Sequence, residues 1–405
     1  MEPERPARPR RRRGFAPPHE RVHVLPQSGQ GEPGLSGRVG PAQALTRRQL
    51  NRATLARQML LAREPVSVPD AVARLAGQQA QEAKPPFLGL CTRLSSFAPA
   101  DLAGALHRRE VVRGMLMRGT LHLVTATDYL AFRPALQPVM EQAVRVLGAR
   151  AKGLELEPVL AAARELFAQR PRTFGELRTL LAAAFPAVDE RALGYTVRTH
   201  LPLVMVPTDD RWAFPANSQF TLAEEWLGQP VPAVGDPRAL ALGYLAAFGP
   251  ASAADLQAWS GLRAVQEALD GLRPQLRTFR DERGRELFDL PEAPRPADDV
   301  PAPPRFLPEF DNLLLAHSDR SRIVADSDRA RVVTKNLRVR ATLLWDGFVR
   351  GTWEIKRKGK AATLVVSPFE ALPAGAVAEC EGEAEALLRV AEPEATSHHL
   401  VVGGG

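Results

Sequence analysis

The run VVRGMLMRGTLHLV, Val111–Val124, holds two β-rich segments pinched at Arg118-Gly119. Such segments on either side of a glycine-containing pinch read as two strands joined by a short connection. What precedes them is helical. Thr46 and Gln49 form a capping-box pattern ahead of a helix that Pro65 stops, a second helix starts near Pro69, and a third follows Pro99 through Leu102 and Leu106. Thr127-Asp128 opens another helix after the strands. Three helices followed by a two-stranded hairpin is the order of a winged helix.

The same grammar returns twice. In a second unit a helix ends near Arg170, Thr173 and Glu176 make a capping box, and Leu177, Leu180, Leu181 and Ala184 share one face of the helix it starts. A helix from Asp189 to about His200 follows, then strands Leu203–Val206 and Arg211–Phe214 around a turn at Asp209-Asp210. In a third unit a helix ends at Phe248, Ser252 and Asp255 cap the next, Val265, Leu269 and Leu272 line another, and a hairpin folds around Asp281–Gly284. The capping residues Thr173 and Ser252 stand 79 positions apart, one module length.

After a proline-rich linker, Pro291–Pro304, the pattern changes. LRVRATLLWDGFVRGTWEIKRKGKAATLVV alternates apolar and polar residues, with Asp346-Gly347 as a type I′ turn and Lys358-Gly359 in a second turn. We read a three-stranded meander, a helix from about Ala374 to Val390, and a frayed end bearing His398 and His399, a pair that without a third ligand makes no metal site. The expected fold is α+β, mainly α: a tail over 1–44, winged-helix-like modules over 45–150, 151–230 and 231–300, and a C-terminal β-meander with a closing helix over 301–405.

Composition bounds the function. No apolar run approaches the roughly 20 residues of a bilayer span and no signal triplet opens the chain, so a cytoplasmic, nucleoid-associated protein is expected. Two cysteines, Cys91 and Cys380, cannot build a thiolate metal site and fit a reducing compartment. The net charge is +7, and residues 1–44, with eight Arg against four Glu, contribute +4 of it. That tail, with its Arg10–Arg13 run, is too poor in apolar residues to bury anything and reads as disordered, either a basic arm on phosphates or a solvated end. Attraction for nucleic acid must otherwise come from local patches.

One patch lies in the second unit. Leu193, Val197 and Leu201 face inward on the helix from Asp189, whereas Arg191, Tyr195 and Arg198 fall opposite them, within about 60° of one another at 100° per residue. Two guanidiniums and an aromatic suit a groove-facing surface; a solvated helix side is the bland reading. The matching helix of the third unit offers Arg263, Glu267 and Asp270, a mixture that repels phosphates. Lys356, Arg357, Lys358 and Lys360 put four cations at a hairpin tip, suited to phosphate contact or merely to solubility.

The chemistry centres on LAGQQAQEAKPPFLGLCTR, Leu75–Arg93. If helical, Gln79 continues the apolar face of Val72, Leu75 and Ala76; a buried amide without partners costs about 1 to 3 kcal/mol, so it must be hydrogen-bonded or face a polar cavity. If the chain turns extended before Pro85 and Pro86, which disfavour helix at and before them, Gln79 and Gln81 point one way and Ala80 the other.

QQAQ, MRGTLHLVTATDY at Met117–Tyr129, LPEFDNLLLAHSDRS at Leu307–Ser321 and LLWDGFVRGTW at Leu343–Trp353 together resemble the winged-helix DNA glycosylases of the AlkZ type, over essentially everything after residue 45. The resemblance implies tandem winged helices forming a concave DNA channel. It also implies a Gln-hydrophobic-Gln motif, here Gln79, Ala80 and Gln81, required to hydrolyse the N-glycosidic bond of N7-alkylguanine, interstrand crosslinks included. The expected partner is duplex DNA carrying alkylated guanine, met by a monomer with no metal or organic cofactor. Gln81, where relatives of a broader-acting branch carry Asp, places the chain with the crosslink-type branch.

Elementary chemistry restricts that assignment. Cleaving a glycosidic bond builds positive charge on the sugar and ordinarily calls for a carboxylate and an acid. An N7-alkylated guanine is already cationic and leaves neutral, so no acid is needed. Holding a water and stabilising the sugar cation remain, and amide oxygens can do both. Gln81 is assigned to the water and Gln79 to orienting the lesion or sharing that water; Glu82, beside Gln81, should point away. His122 faces either the channel or a polar shell, Asp311 and Asn312 either cap a turn or line the site, and Arg118 is expected near a phosphate. The rival readings are a non-catalytic winged-helix DNA-binding protein, regulator or lesion binder, and a protein-interaction scaffold.

Overall fold

In the computed structural model, which describes residues 44–403, Thr46 caps the helix Arg47–Arg57. Gln49 N donates to Thr46 Oγ1 at 3.1 Å and Thr46 N to Gln49 Oε1 at 2.9 Å, which satisfies two otherwise orphaned backbone donors. The same reciprocal box starts Phe174–Ala184 at Thr173 and Ala253–Ser260 at Ser252. The basic tail expected over 1–44 lies, but for Ala44, outside the described residues.

Helices Val68–Arg74, Pro85–Arg93 and Pro99–His107 come next, then the strands Val111–Met115 and Leu121–Thr125 of the expected hairpin. Pro85 and Pro86 do not keep the chain out of helix; they open one. A proline at the first helical positions lacks only an N–H that has no intrahelical acceptor there. Gln78–Gln79 is extended and pairs antiparallel with Leu121–Thr125, Gln79 opposite His122.

The second unit supplies Leu156–Gln169, Phe174–Ala184, Glu190–His200 and the strand Leu203–Met205. Leu177 and Leu181 are buried as expected, but Leu180 is exposed. Arg211–Phe214, expected as the partner strand, is not one; Phe220–Leu222 pairs there instead, Val204 opposite Thr221. The aromatics of 211–214 are committed to the core beneath the first hairpin: the Trp212 ring meets Phe87 edge-on at 5.1 Å, and Arg113 sits 4.9 Å over buried Phe214. Gly114 pairs with Val204, so both units share one five-stranded sheet in the order Gln78–Gln79, Leu121–Thr125, Val111–Met115, Leu203–Met205, Phe220–Leu222.

Pro237–Phe248, Ala253–Ser260, Val265–Leu272 and the hairpin Arg277–Arg280 with Glu286–Asp289 form the third unit as read from sequence, with Val265, Leu269 and Leu272 in the core. The meander is there too, with Asp346 and Gly347 at φ 48° and 82° in its first turn. It is the centre of a five-stranded sheet, flanked by Arg305–Leu307 on one side and Ser397–Val402 on the other. The end expected to fray around His398 and His399 is therefore a strand, parallel to Ala361–Pro368, with Ala362 opposite His398. Helix Ala376–Ala391 covers the sheet through Cys380, Ala384, Leu387 and Leu388, and Leu88 and Cys91 of Pro85–Arg93 enter the same core. The segment following the glutamines is thereby pinned to the C-terminal sheet. The architecture is mixed, with more helix than strand, and no helix among the described residues is long and apolar enough to cross a membrane.

Candidate active site

The glutamine segment is held first by its backbone. Helix Val68–Arg74 is followed by Ala76 at φ 49° and Gly77 at φ 88°. A Cβ on Gly77 would lie 2.5 Å from Val124 Cγ1 and 2.9 Å from the Leu123 carbonyl oxygen, so glycine is required on two counts. Asn312 Nδ2 donates to the Gly77 carbonyl at 3.2 Å. Beyond the strand, Arg113 Nε donates to the Ala80 carbonyl at 2.8 Å and Nη2 to that of Gln81 at 3.2 Å. Burial lowers the Arg113 pKa to about 10, with Glu82 acting weakly the other way. Ala80 is packed in the core. Gln78 and Gln79 are strand, the extended alternative of the two read from sequence, but the chain bends at Gln81 and Glu82, so strand alternation does not by itself relate the faces of Gln79 and Gln81.

Their side chains differ. Gln79 is buried, and Arg118 Nη2 donates to its Oε1 at 2.7 Å. The other arm of Arg118 donates to the Trp259 carbonyl at the end of Ala253–Ser260. Arg118 and Gly119 turn at φ 56° and 69°, and Gly261 lets the third unit approach: a Cβ there would be 3.3 Å from Arg118 Cα. The residue expected near a phosphate therefore has its guanidinium occupied by an amide oxygen and a carbonyl. Burial, then the charge of Arg320, pushes its pKa down to about 10. Neither Arg118 nor Arg320 is ion-paired among the described residues. Gln81 and Glu82 are exposed, and Gln81 Oε1 receives only a long contact from Leu121 N, 3.5 Å.

His122 is fully buried across the strand pair from Gln79. Its Nδ1 lies 3.0 Å from the Thr120 carbonyl and so carries the proton, which leaves Nε2 a sealed lone pair. Burial and then the Arg118 charge lower its pKa to about 3. Asp311 is committed to Arg93, 2.9 Å away and equally buried, and caps the short helix Asn312–Leu314. Asn312 Oδ1 and Gln78 Nε2, both without partners among the described residues, line a cavity of about 10 Å³ beneath the motif. Among the described residues no group of three or more His, Cys, Asp or Glu side chains stands together.

Of the outlying candidates, Arg191 and Arg198 are exposed on Glu190–His200, with the Arg198 guanidinium 5.2 Å over the Tyr195 ring. At the hairpin tip Lys356 meets Glu354 at 3.0 Å and Arg357 meets Glu392 at 3.0 Å, whereas Lys358 and Lys360 are exposed and unpaired among the described residues. The structure thus gathers Gln79, Gln81, Arg118 and His122 at one sheet edge, with Asp311 and Asn312 supporting it from below. Sequence reasoning missed Arg113, Arg320 and the Trp259 carbonyl. An arginine inside an apolar strand run was the available signal for the first; the others come together only in three dimensions.

A family model described as "DNA glycosylase AlkZ-like" matches residues 72–390. Among solved structures, the DNA glycosylase AlkZ of Streptomyces sahachiroi superposes with a TM-score of 0.75 at 22% identity, covering 89% of this chain and 100% of the other. No curated protein matches.

Proposed function

The chain belongs to the AlkZ-like DNA glycosylases, and we propose that it is a monofunctional, monomeric enzyme hydrolysing the N-glycosidic bond of cationic N7-alkylguanine in duplex DNA, interstrand crosslinks included. The observation that carries the reading is the pair of neutral amides, neither of them hydrogen-bonded to a carboxylate among the described residues. Asp311 is consumed by Arg93, and we read Glu82, exposed beside Gln81, as a surface carboxylate. Such a site can orient and stabilise but cannot protonate a leaving group. It suits a base that alkylation has already made cationic. Water adds to C1′ and loses its proton to solvent, while the electron pair of the C1′–N9 bond neutralises the departing base. Gln81 holds the water and stabilises the sugar cation, and Gln79 orients the lesion.

We read the three helix-and-hairpin units as tandem winged helices that carry the duplex. Arg191, Tyr195, Arg198, Lys358 and Lys360 are its proposed contacts, joined by Lys356 and Arg357 if the duplex displaces their carboxylates. The test is release of N7-methylguanine from methylated duplex by the parent protein and by Gln79→Ala and Gln81→Ala. Each substitution should slow release on the order of 10²-fold. Duplex binding without release by the parent would favour a non-catalytic lesion binder, and equal release by all three would make the glutamines bystanders.

A further inference from the structure

We propose that the two glutamines serve with opposite hydrogen-bonding polarity: Gln79 meets the lesion nucleotide as a donor, Gln81 supplies the acceptor oxygen, and Arg118 is the positioning residue that sets the difference. The assignment rests on the glycosylase reading above.

A guanidinium has donors and no acceptor. The Gln79 atom 2.7 Å from Arg118 Nη2 is therefore the amide oxygen, and the reverse rotamer would set NH₂ against N–H. Arg118 cannot swing aside to allow it. Its other arm is bonded to the Trp259 carbonyl, and its backbone is fixed in a left-handed turn against Gly261. The oxygen keeps a second lone pair but already faces a cation; the Gln79 group without a partner is its NH₂, which has no acceptor among the described residues and is not among the sealed, unpartnered atoms. The cation behind the amide polarises that NH₂ and strengthens it as a donor.

A donor cannot stabilise positive charge at C1′ or take a hydrogen bond from the attacking water. An oxygen held against a guanidinium is a poor stabiliser of a second cation, so the motif's oxygen suited to that task is that of Gln81, exposed and engaged among the described residues only by the 3.5 Å contact from Leu121 N. Gln79 then holds an acceptor of the lesion nucleotide, a base carbonyl or sugar oxygen, and Gln81 faces the water and the sugar cation.

Glutamate in place of glutamine separates the two roles, because an ionised carboxylate keeps the shape and the oxygen but has no hydrogen to donate. In single-turnover release of N7-methylguanine, Gln81→Glu should stay within about 10-fold of the parent, whereas Gln79→Glu should fall on the order of 10²-fold. Arg118→Met should lower the rate at saturating DNA without changing DNA affinity, and Arg118→Lys, which still only donates, should recover part of it. The reverse order of the two Glu variants, or full activity in Gln79→Glu, overturns the assignment; so does parental activity in Arg118→Met. Should Arg118→Met fail to fold by circular dichroism, the near-isosteric Glu pair still decides the matter. No release by the parent sinks the glycosylase reading and this assignment together, whereas parental release with equal losses in both Glu variants sinks this assignment alone.

Discussion

Lowering the pH from 7 to 5 should destabilise this protein through two histidines it buries uncharged. His122 is 0% exposed and His317 2% exposed, and each gives its one proton to a backbone carbonyl, Thr120 and Phe248 respectively, both at 3.0 Å. Burial, reinforced by Arg118 in one case and Arg322 in the other, holds both pKa values at about 3. Unfolded, each would titrate near 6.5. Between those values the unfolded chain binds protons that the folded one refuses, so stability falls as pH falls, beginning at about 6.5. At pH 5 each histidine has titrated over about 1.5 units at about 1.4 kcal/mol per unit, so the pair removes about 4 kcal/mol. Asp128, whose pKa burial raises, works weakly in the opposite direction. Urea denaturation at both pH values measures the loss, and His122→Gln should cut it by about half. Equal midpoints at pH 7 and 5 would show that the two rings are not held neutral and would refute the electrostatic picture of the site.

Gly77→Ala places a Cβ in left-handed backbone, about 1 to 2 kcal/mol, and against Val124 Cγ1 and the Leu123 carbonyl, about 1 to 3 kcal/mol more; thermal melting should show the sum, and base release should fall as the motif strand shifts. Asp289→Ala removes the carboxylate bonded to buried Arg57 at 2.7 Å and should destabilise by about 3 to 5 kcal/mol in urea titration; a change below 1 kcal/mol would mean the guanidinium had found solvent. Arg191→Ala and Arg198→Ala should each weaken duplex binding uniformly across sequences and reduce the slope of log affinity against log salt by about 1, and an unchanged slope would leave that helix face merely solvated.

Local rules made much of this fold legible. Thr46, Thr173 and Ser252 cap their helices because an oxygen three residues before a backbone N–H is a purely local bond, and Asp346-Gly347 turns where positive φ demands it. Tertiary choices were not legible. Trp212 and Phe214 look like strand residues, but a buried site beside Phe87 and Arg113 claimed them; Ser397–Val402 found a parallel partner remote in sequence. Pro85 and Pro86 are ambiguous by nature, since a missing N–H ends one helix as readily as it starts another. At the site, the extended conformation of Gln79 is one of the two readings the sequence allows, whereas the bend at Gln81 has no local signal. The guanidinium bonded to Gln79 comes from the hairpin tip 39 residues away, and an arginine beside glycine in a turn gives no sign in sequence of what its far end touches.

The account stands on one chemical division, that amides suffice because the lesion itself supplies the positive charge. It is tested most directly by comparing single-turnover release of N7-methylguanine and of uracil, a neutral base, from otherwise identical duplexes at neutral pH. Release of the cationic base with none of the neutral one is the predicted result. Comparable release of both would mean that the site itself activates the leaving base, by an acid or by donors to its anion, and would contradict that division.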